Sequence, residues 1–139
     1  MKIKKKKPAL SSLKRDCWKV FSRYIRRRDC FLTTGSTEYG ECISCDGHFT
    51  FNQLDAGHFI QGRHNANLFS ERGVHAQCRS CNRFNGGKPL EYRRQIIKLY
   101  GEGADEQLEE EARVIKKFTI PELEDMIKDY TKRLKEMEG

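Results

Sequence analysis

Nowhere in the 139 residues does an apolar run approach the roughly twenty needed to cross a bilayer. Met1–Lys7 carries charge where a secretory leader would carry its apolar centre. A membrane span and export are therefore not expected, and the chain reads as a cytoplasmic protein. Hydrophobic residues are scarce, at 37%. In a chain of this length that excludes a large core and makes bound metal the expected supplement to folding. Acidic residues are scarce in one place: positions 1–40 hold 3 Asp/Glu against 12 Lys/Arg. Positions 41–90 hold 4 against 5, and positions 91–139 hold 13 against 10. The net charge of +7 favours a polyanionic partner, nucleic acid or an anionic membrane surface, and the basic footprint is N-terminal.

Cysteine, by contrast, is plentiful, with six in the chain. In a cytoplasmic protein these are expected to be metal ligands or free thiols rather than disulfides. Cys42-x-x-Cys45 and Cys78-x-x-Cys81, two pairs roughly thirty residues apart, have the spacing of a four-cysteine structural zinc site. His48 follows Cys45 closely, but the second pair already completes a tetrahedral set. Cys17 lies within an apolar helical pattern and Cys30 outside both pairs, so neither is expected to bind metal.

Taken in order, positions 1–10 read as a lysine-rich tail, either solvated and disordered or an arm on DNA. From Ser11 or Ser12 as N-cap, Leu13, Cys17, Val20, Phe21, Tyr24 and Ile25 recur at helical spacing to about Arg28. The other positions of this helix, among them Arg23, Arg26 and Arg27, are placed to lie along a phosphate backbone, and Trp18 is expected in the core. Thr33–Gly40 reads as a loop. Residues 48–60 read as two short strands around Asn52-Gln53, with His58 on the second. Gln61–Arg72 is polar and aperiodic, a surface loop. Arg79–Asn85 reads as the start of a short helix ended by Gly86-Gly87, followed by helices over Leu90–Tyr100 and Ala104–Lys117. Thr119-x-x-Glu122 is a capping box that opens a last helix carrying Leu123, Ile127, Tyr130, Leu134 and Met137, whose stripe packs on the body or on a second copy.

Between the cysteine pairs stand a histidine on an extended segment and, just after Cys81, an asparagine. Hydrolysis of a phosphodiester needs a group to take the proton of the attacking water and a cation to offset the charge on the leaving oxygen. His58 suits the first need because its ordinary pKa lies near neutrality. Asn82 suits the second, since its amide oxygen is a hard donor fit for Mg²⁺. A base on a ribbon followed by a metal ligand on a helix, framed by zinc, is the order of an HNH, or ββα-metal, nuclease. The fold expected is α+β: a small zinc-bound ββα-metal core with an N-terminal basic helix over positions 11–100, and a helical C-terminal extension over 101–139. Arg63, Arg79, Arg83 and Lys88 stand near the site as phosphate clamps. The competing reading is a non-catalytic zinc knuckle that binds DNA or protein.

Five segments carry a more specific resemblance: Cys42-Ile43-Ser44-Cys45, Leu54–Ile60, Val74–Cys78, Cys81-Asn82-Arg83-Phe84 and Tyr92-Arg93, supported by Phe21–Asp29 and the C-terminal helices. Together they resemble the lambdoid-phage NinG (Rap) recombination endonuclease family. The resemblance implies an endonuclease acting on branched recombination intermediates such as D-loops and Holliday junctions, inside a bacterial host. It implies His58 as general base, Asn82 as ligand of a catalytic Mg²⁺ or Mn²⁺, and the four cysteines as a structural zinc site. Branched DNA would be the main partner, with a second copy of the chain and host or phage recombination proteins as further ones. Two departures stand out. Many HNH enzymes place an Asp or His immediately before the base, where this chain has Gly57; Asp55 is the expected substitute ligand and His75 the alternative. The middle Asn of the pattern, which braces the loop, would fall at Gly73.

Overall fold

The computed structural model describes residues 9–62 and 64–139; the expectations for Met1–Lys7 and for Arg63 lie outside them. The longest element is α1 (Leu10–Thr34), a 25-residue helix about 37 Å long. Leu13, Cys17, Phe21, Tyr24 and Ile25 form its buried stripe. The helix begins earlier than the serines suggest, from Ala9, and runs past Arg28 until Gly35 ends it in the left-handed region at φ 80°. The extra turns bury Asp29 and Cys30.

Two antiparallel ribbons follow. Strands β1 (Tyr39–Glu41) and β2 (His48–Thr50) flank the first knuckle, with Gly40 opposite Phe49. A 3₁₀ turn at Phe51–Gln53, closed by a capping box from Thr50, redirects the chain into β3 (Leu54–His58). The expected turn at Asn52-Gln53 is therefore present, but β3 pairs with a later strand rather than with β2. That partner is β4 (Val74–Cys78), with Leu54 opposite Cys78, Gly57 opposite His75 and His58 opposite Val74. The connecting segment contains one short helical turn, α2 (Asn65–Leu68).

After β4 the chain enters a π-helical turn, Ser80–Phe84, and then three helices: α3 (Pro89–Tyr100), α4 (Ala104–Ala112) and α5 (Ile120–Glu138). Helix α4 stops short of Lys117. Helix α5 opens on the expected capping box between Thr119 and Glu122 and lies against α1. Its Leu123 packs with Leu13 and Cys17, and its Tyr130 with Phe21 and Tyr24. The stripe of the last helix is thus satisfied within the chain. Each fully buried large side chain of this seam, such as Phe21, contributes on the order of 1.5–3 kcal/mol.

Strand alternation sorts the β3/β4 ribbon into two faces. Leu54, Ala56 and His58 face α1, where Ala56 joins the Phe21 cluster and His58 meets Trp18. Asp55 and Gly57 face the π-helical turn, with Gln77 beside them on β4. Among the described residues no helix is long and apolar enough to cross a membrane.

Candidate zinc cluster and catalytic centre

The two knuckles meet where the ends of the ribbons converge. A backbone bond from Ile43 to the Ala76 carbonyl, 2.9 Å, joins the first knuckle to β4. Asp46 takes a left-handed conformation, φ 60°, to close the first turn on Cys42. The result places the Sγ atoms of Cys42, Cys45, Cys78 and Cys81 within 4.8 Å of one another, with Cys45 and Cys78 3.9 Å apart. Zinc–sulfur bonds near 2.3 Å put tetrahedral sulfurs about 3.8 Å apart, so the four thiols fit a zinc ion. Three of the four are buried. Burial pushes the Cys42 thiol up, but hydrogen bonds from Ser44 and from backbone N–H groups outweigh it and bring the pKa down to about 7. Cys17 is buried in a separate cluster, Cys30 packs against the knuckles without being one of the four gathered thiols, and His48 is exposed beside Glu41, so the ligand set is the one the spacing predicts.

His58 ends β3. Its imidazole stacks on the Trp18 indole, centroids 5.1 Å apart at 16°, so Trp18 is only partly a core residue and also forms the wall behind the histidine. Nε2 lies 3.0 Å from the Leu68 carbonyl oxygen. A carbonyl only accepts, so Nε2 carries the proton and Nδ1 keeps its lone pair. Burial lowers the His58 pKa, partly opposed by the Leu68 bond, which keeps the ring neutral to lower pH than usual. Position 73 holds no brace, but the loop has one: Asn67 is buried and donates from Nδ2 to the Ile60 carbonyl at 2.9 Å. It fixes α2, and with it the carbonyl that orients His58. An Asn within a short loop that returns to a strand end was the available sequence signal.

On the other face, Asn82 in the π-helical turn donates from Nδ2 to Asp55 Oδ2 at 3.0 Å. Because a carboxylate cannot donate, the amide oxygen of Asn82 points away from Asp55, toward Gly57. Asp55 itself is engaged: Arg83 holds both its oxygens, at 2.8 and 2.9 Å. As placed, Asp55 orients Asn82 and has both oxygens paired with Arg83, so a cation that took it in place of the residue missing at Gly57 would compete with that pair. His75 is engaged as well. It is 4% exposed, with Nδ1 3.1 Å from Asp29 and Nε2 3.0 Å from the Tyr100 hydroxyl. Burial would raise the Asp29 carboxyl, yet hydrogen bonds from His75 and Arg28 hold it below the ordinary range.

Sequence reasoning missed Gln77. It is fully buried, and Nε2 donates to Ser44 Oγ at 3.0 Å and to the Gly87 carbonyl at 2.8 Å. Its Oε1 has no hydrogen-bond partner, a state that costs roughly 1–3 kcal/mol in a protein interior. The available signal was a polar residue in a strand otherwise closed to solvent, Val74–Cys78.

The cationic residues divide. Arg27 is withdrawn from solvent against Glu138 (2.6 Å), the Thr37 carbonyl and the Phe51 ring, and Arg23 pairs with the same Glu138. Helix α5 lies beside this part of α1 and takes both guanidiniums, so the pair is not the free phosphate-facing row that helical spacing predicts. Arg26 lies over Phe51, 4.4 Å from its centroid. Arg79 is exposed and bonds the Asn52 carbonyl, Arg83 is exposed and holds Asp55, and Lys88 is half-buried. Phe84 projects beside them, 80% exposed. A groove of about 860 Å³ is lined by Phe59, Ile60, Pro89, Arg93 and Ile115 and includes none of His58, Asp55, Gln77 and Asn82.

Comparison with known proteins agrees with the motif segments. A family model described as Bacteriophage Lambda NinG protein matches residues 1–139. The chain is 33% identical over 115 residues to Protein ninG of Escherichia phage lambda, covering 82% of this chain and 52% of that protein. It is 32% identical over 115 residues to Protein ninG of Salmonella phage P22, with the same coverage. To Protein ninG of Enterobacteria phage H19B it is 36% identical over 87 residues, 62% of this chain and 39% of the relative. The chain thus spans about half the length of the first two. No solved structure matches.

Proposed function

The chain belongs to the NinG family of bacteriophage proteins, and from that premise we propose that it is an HNH-type endonuclease that hydrolyses phosphodiesters in branched DNA, such as D-loops and Holliday junctions, with Mg²⁺ or Mn²⁺. One observation carries the reading: a histidine whose Nε2–H is committed to the Leu68 carbonyl, with Nδ1 left as acceptor, sits one residue from the glycine over which the Asn82 amide oxygen is aimed.

In-line displacement puts the attacking water and the leaving oxygen on opposite sides of phosphorus. His58 Nδ1 takes a proton from water as the water oxygen bonds to phosphorus and the phosphorus–leaving oxygen bond breaks. The Leu68 carbonyl then stabilises the imidazolium through Nε2–H. Trp18 holds the ring in plane, and Asp55 holds Asn82. Asn82 would hold the divalent cation, which would supply Lewis-acid stabilisation of the charge on the departing oxygen. Arg79, Arg83 and Lys88 supply positive potential for the DNA backbone. The four-cysteine zinc site ties the strand that ends in Cys78 to the turn that carries Asn82, so zinc sets the geometry without entering the chemistry.

The test is to incubate the zinc-loaded protein with four-way junctions, D-loops and linear duplex, with and without Mg²⁺ or Mn²⁺. Metal-dependent cuts in branched substrates are expected. Binding of all three without a cut in any would replace this reading by that of a non-catalytic zinc module.

A further inference from the structure

We propose that Gln77 is a ligand of the catalytic cation, supplying through Oε1 the oxygen that neither Gly57 nor the occupied Asp55 provides. The inference rests on the nuclease reading above and assigns its cation a second protein donor.

Amide orientation comes first. Gln77 Nε2 faces the Gly87 carbonyl, which can only accept, so the two ends of the amide cannot be exchanged. Oε1 therefore points the other way, buried and without a partner. It points at Gly57: a Cβ on that residue would collide with Gln77 Oε1 and lie 3.0 Å from Asn82 Oδ1. The missing side chain is what lets two amide oxygens, one from β4 and one from the π-helical turn, converge over the same backbone atom. Both orientations are imposed from outside, Gln77 by Ser44 and Gly87 and Asn82 by Asp55.

Two hard oxygens held on rigid elements are part of the oxygen shell that Mg²⁺ and Mn²⁺ take, with waters and a substrate phosphate supplying the rest. The donors are neutral, which leaves the cation its full charge for the phosphate. Glycine at position 57 then has a positive reason. It exchanges a ligand on the strand for access by a ligand from the neighbouring strand.

The experiment is a Mn²⁺ titration of the zinc-loaded protein followed by electron paramagnetic resonance, without DNA, on wild type, Gln77→Met and Gly57→Ala. Methionine fills a similar volume but offers a soft thioether in place of the oxygen. Alanine at 57 removes no donor and only fills the cradle. Both variants should raise the Mn²⁺ dissociation constant tenfold or more while zinc content and far-UV circular dichroism stay at wild-type values. If Gln77→Met loses its zinc or its fold, Gly57→Ala decides by itself. Wild-type Mn²⁺ affinity in folded variants overturns the assignment of Gln77 and leaves the nuclease reading standing, provided the wild type still cuts. A wild type that neither binds Mn²⁺ nor cuts DNA overturns both.

Discussion

His58 is the residue on which the chemistry turns, and its environment makes a signed prediction. Burial disfavours the charged ring, so the folded pKa lies below the ordinary histidine value of about 6.5. The base is the neutral form. Cleavage should therefore rise with pH and reach half its plateau below about 6.5; a midpoint above that value would mean another group is the base. His58→Ala removes the proton acceptor but no zinc ligand. It should cut at least about a hundredfold more slowly, with DNA binding and zinc content close to wild type. Cleavage at the wild-type rate would dismiss His58 as the base.

Among the elements, the loop between β3 and β4 and the last turn of α5 carry the next expectations. Asn67 joins α2 to the Ile60 carbonyl, and α2 presents the Leu68 carbonyl to His58. Asn67→Ala should lower kcat on the order of tenfold, since one hydrogen bond of about 1–1.5 kcal/mol no longer holds the ring's partner. Zinc content should not change, and an unaltered kcat would show that α2 is fixed by other means. Glu138 closes α5 onto α1 through Arg23 and the buried Arg27. Glu138→Gln should lower stability to urea by about 1–3 kcal/mol, because Arg27 keeps its burial, loses its closer anionic partner and is left with Glu38 at 3.3 Å. Equal midpoints for the two proteins would show the pair to be worth nothing.

For the molecule as a whole the question is what holds two two-stranded ribbons and a turn in one arrangement. Neither ribbon is large enough to be stable alone. The apolar seam between α1 and α5 anchors one side, and the cysteine cluster closes the other, where Cys30, Phe51, Leu54 and Ala76 pack around Cys42, Cys78 and Cys81. Metal binding at such a site is largely folding free energy. Cys78→Ser should accordingly lose zinc and aggregate or unfold at the cysteine end, seen as loss of metal together with exposed apolar surface. A folded, zinc-free wild type would refute the zinc assignment. The basic balance of the sequence survives in the fold only in part, since Glu138 of α5 pairs with Arg23 and Arg27 of the α1 row.

The sequence by itself determined the periodic and the contiguous features. The α1 stripe, the capping box at Thr119, the Pro89 helix start and the paired cysteine spacings are local, because helix period, caps and knuckle turns are set by residues within a few positions of each other. Those spacings brought four thiols together, and the family motifs marked His58 and Asn82. Only the tertiary structure decided which side chains are free to act. Asp55 reads as a ligand in sequence, but Arg83, from the π-helical turn, occupies it. Arg23 and Arg27 read as a phosphate face, but Glu138 at the far end of the chain takes them. His75 reads as a donor, but Asp29 and Tyr100 saturate it. Gln77 reads as an ordinary strand residue, and only the strand pairing and the turn after it show its oxygen alone over Gly57. The reason is the same in each case: whether a polar group is available depends on partners distant in sequence, and no local pattern records them.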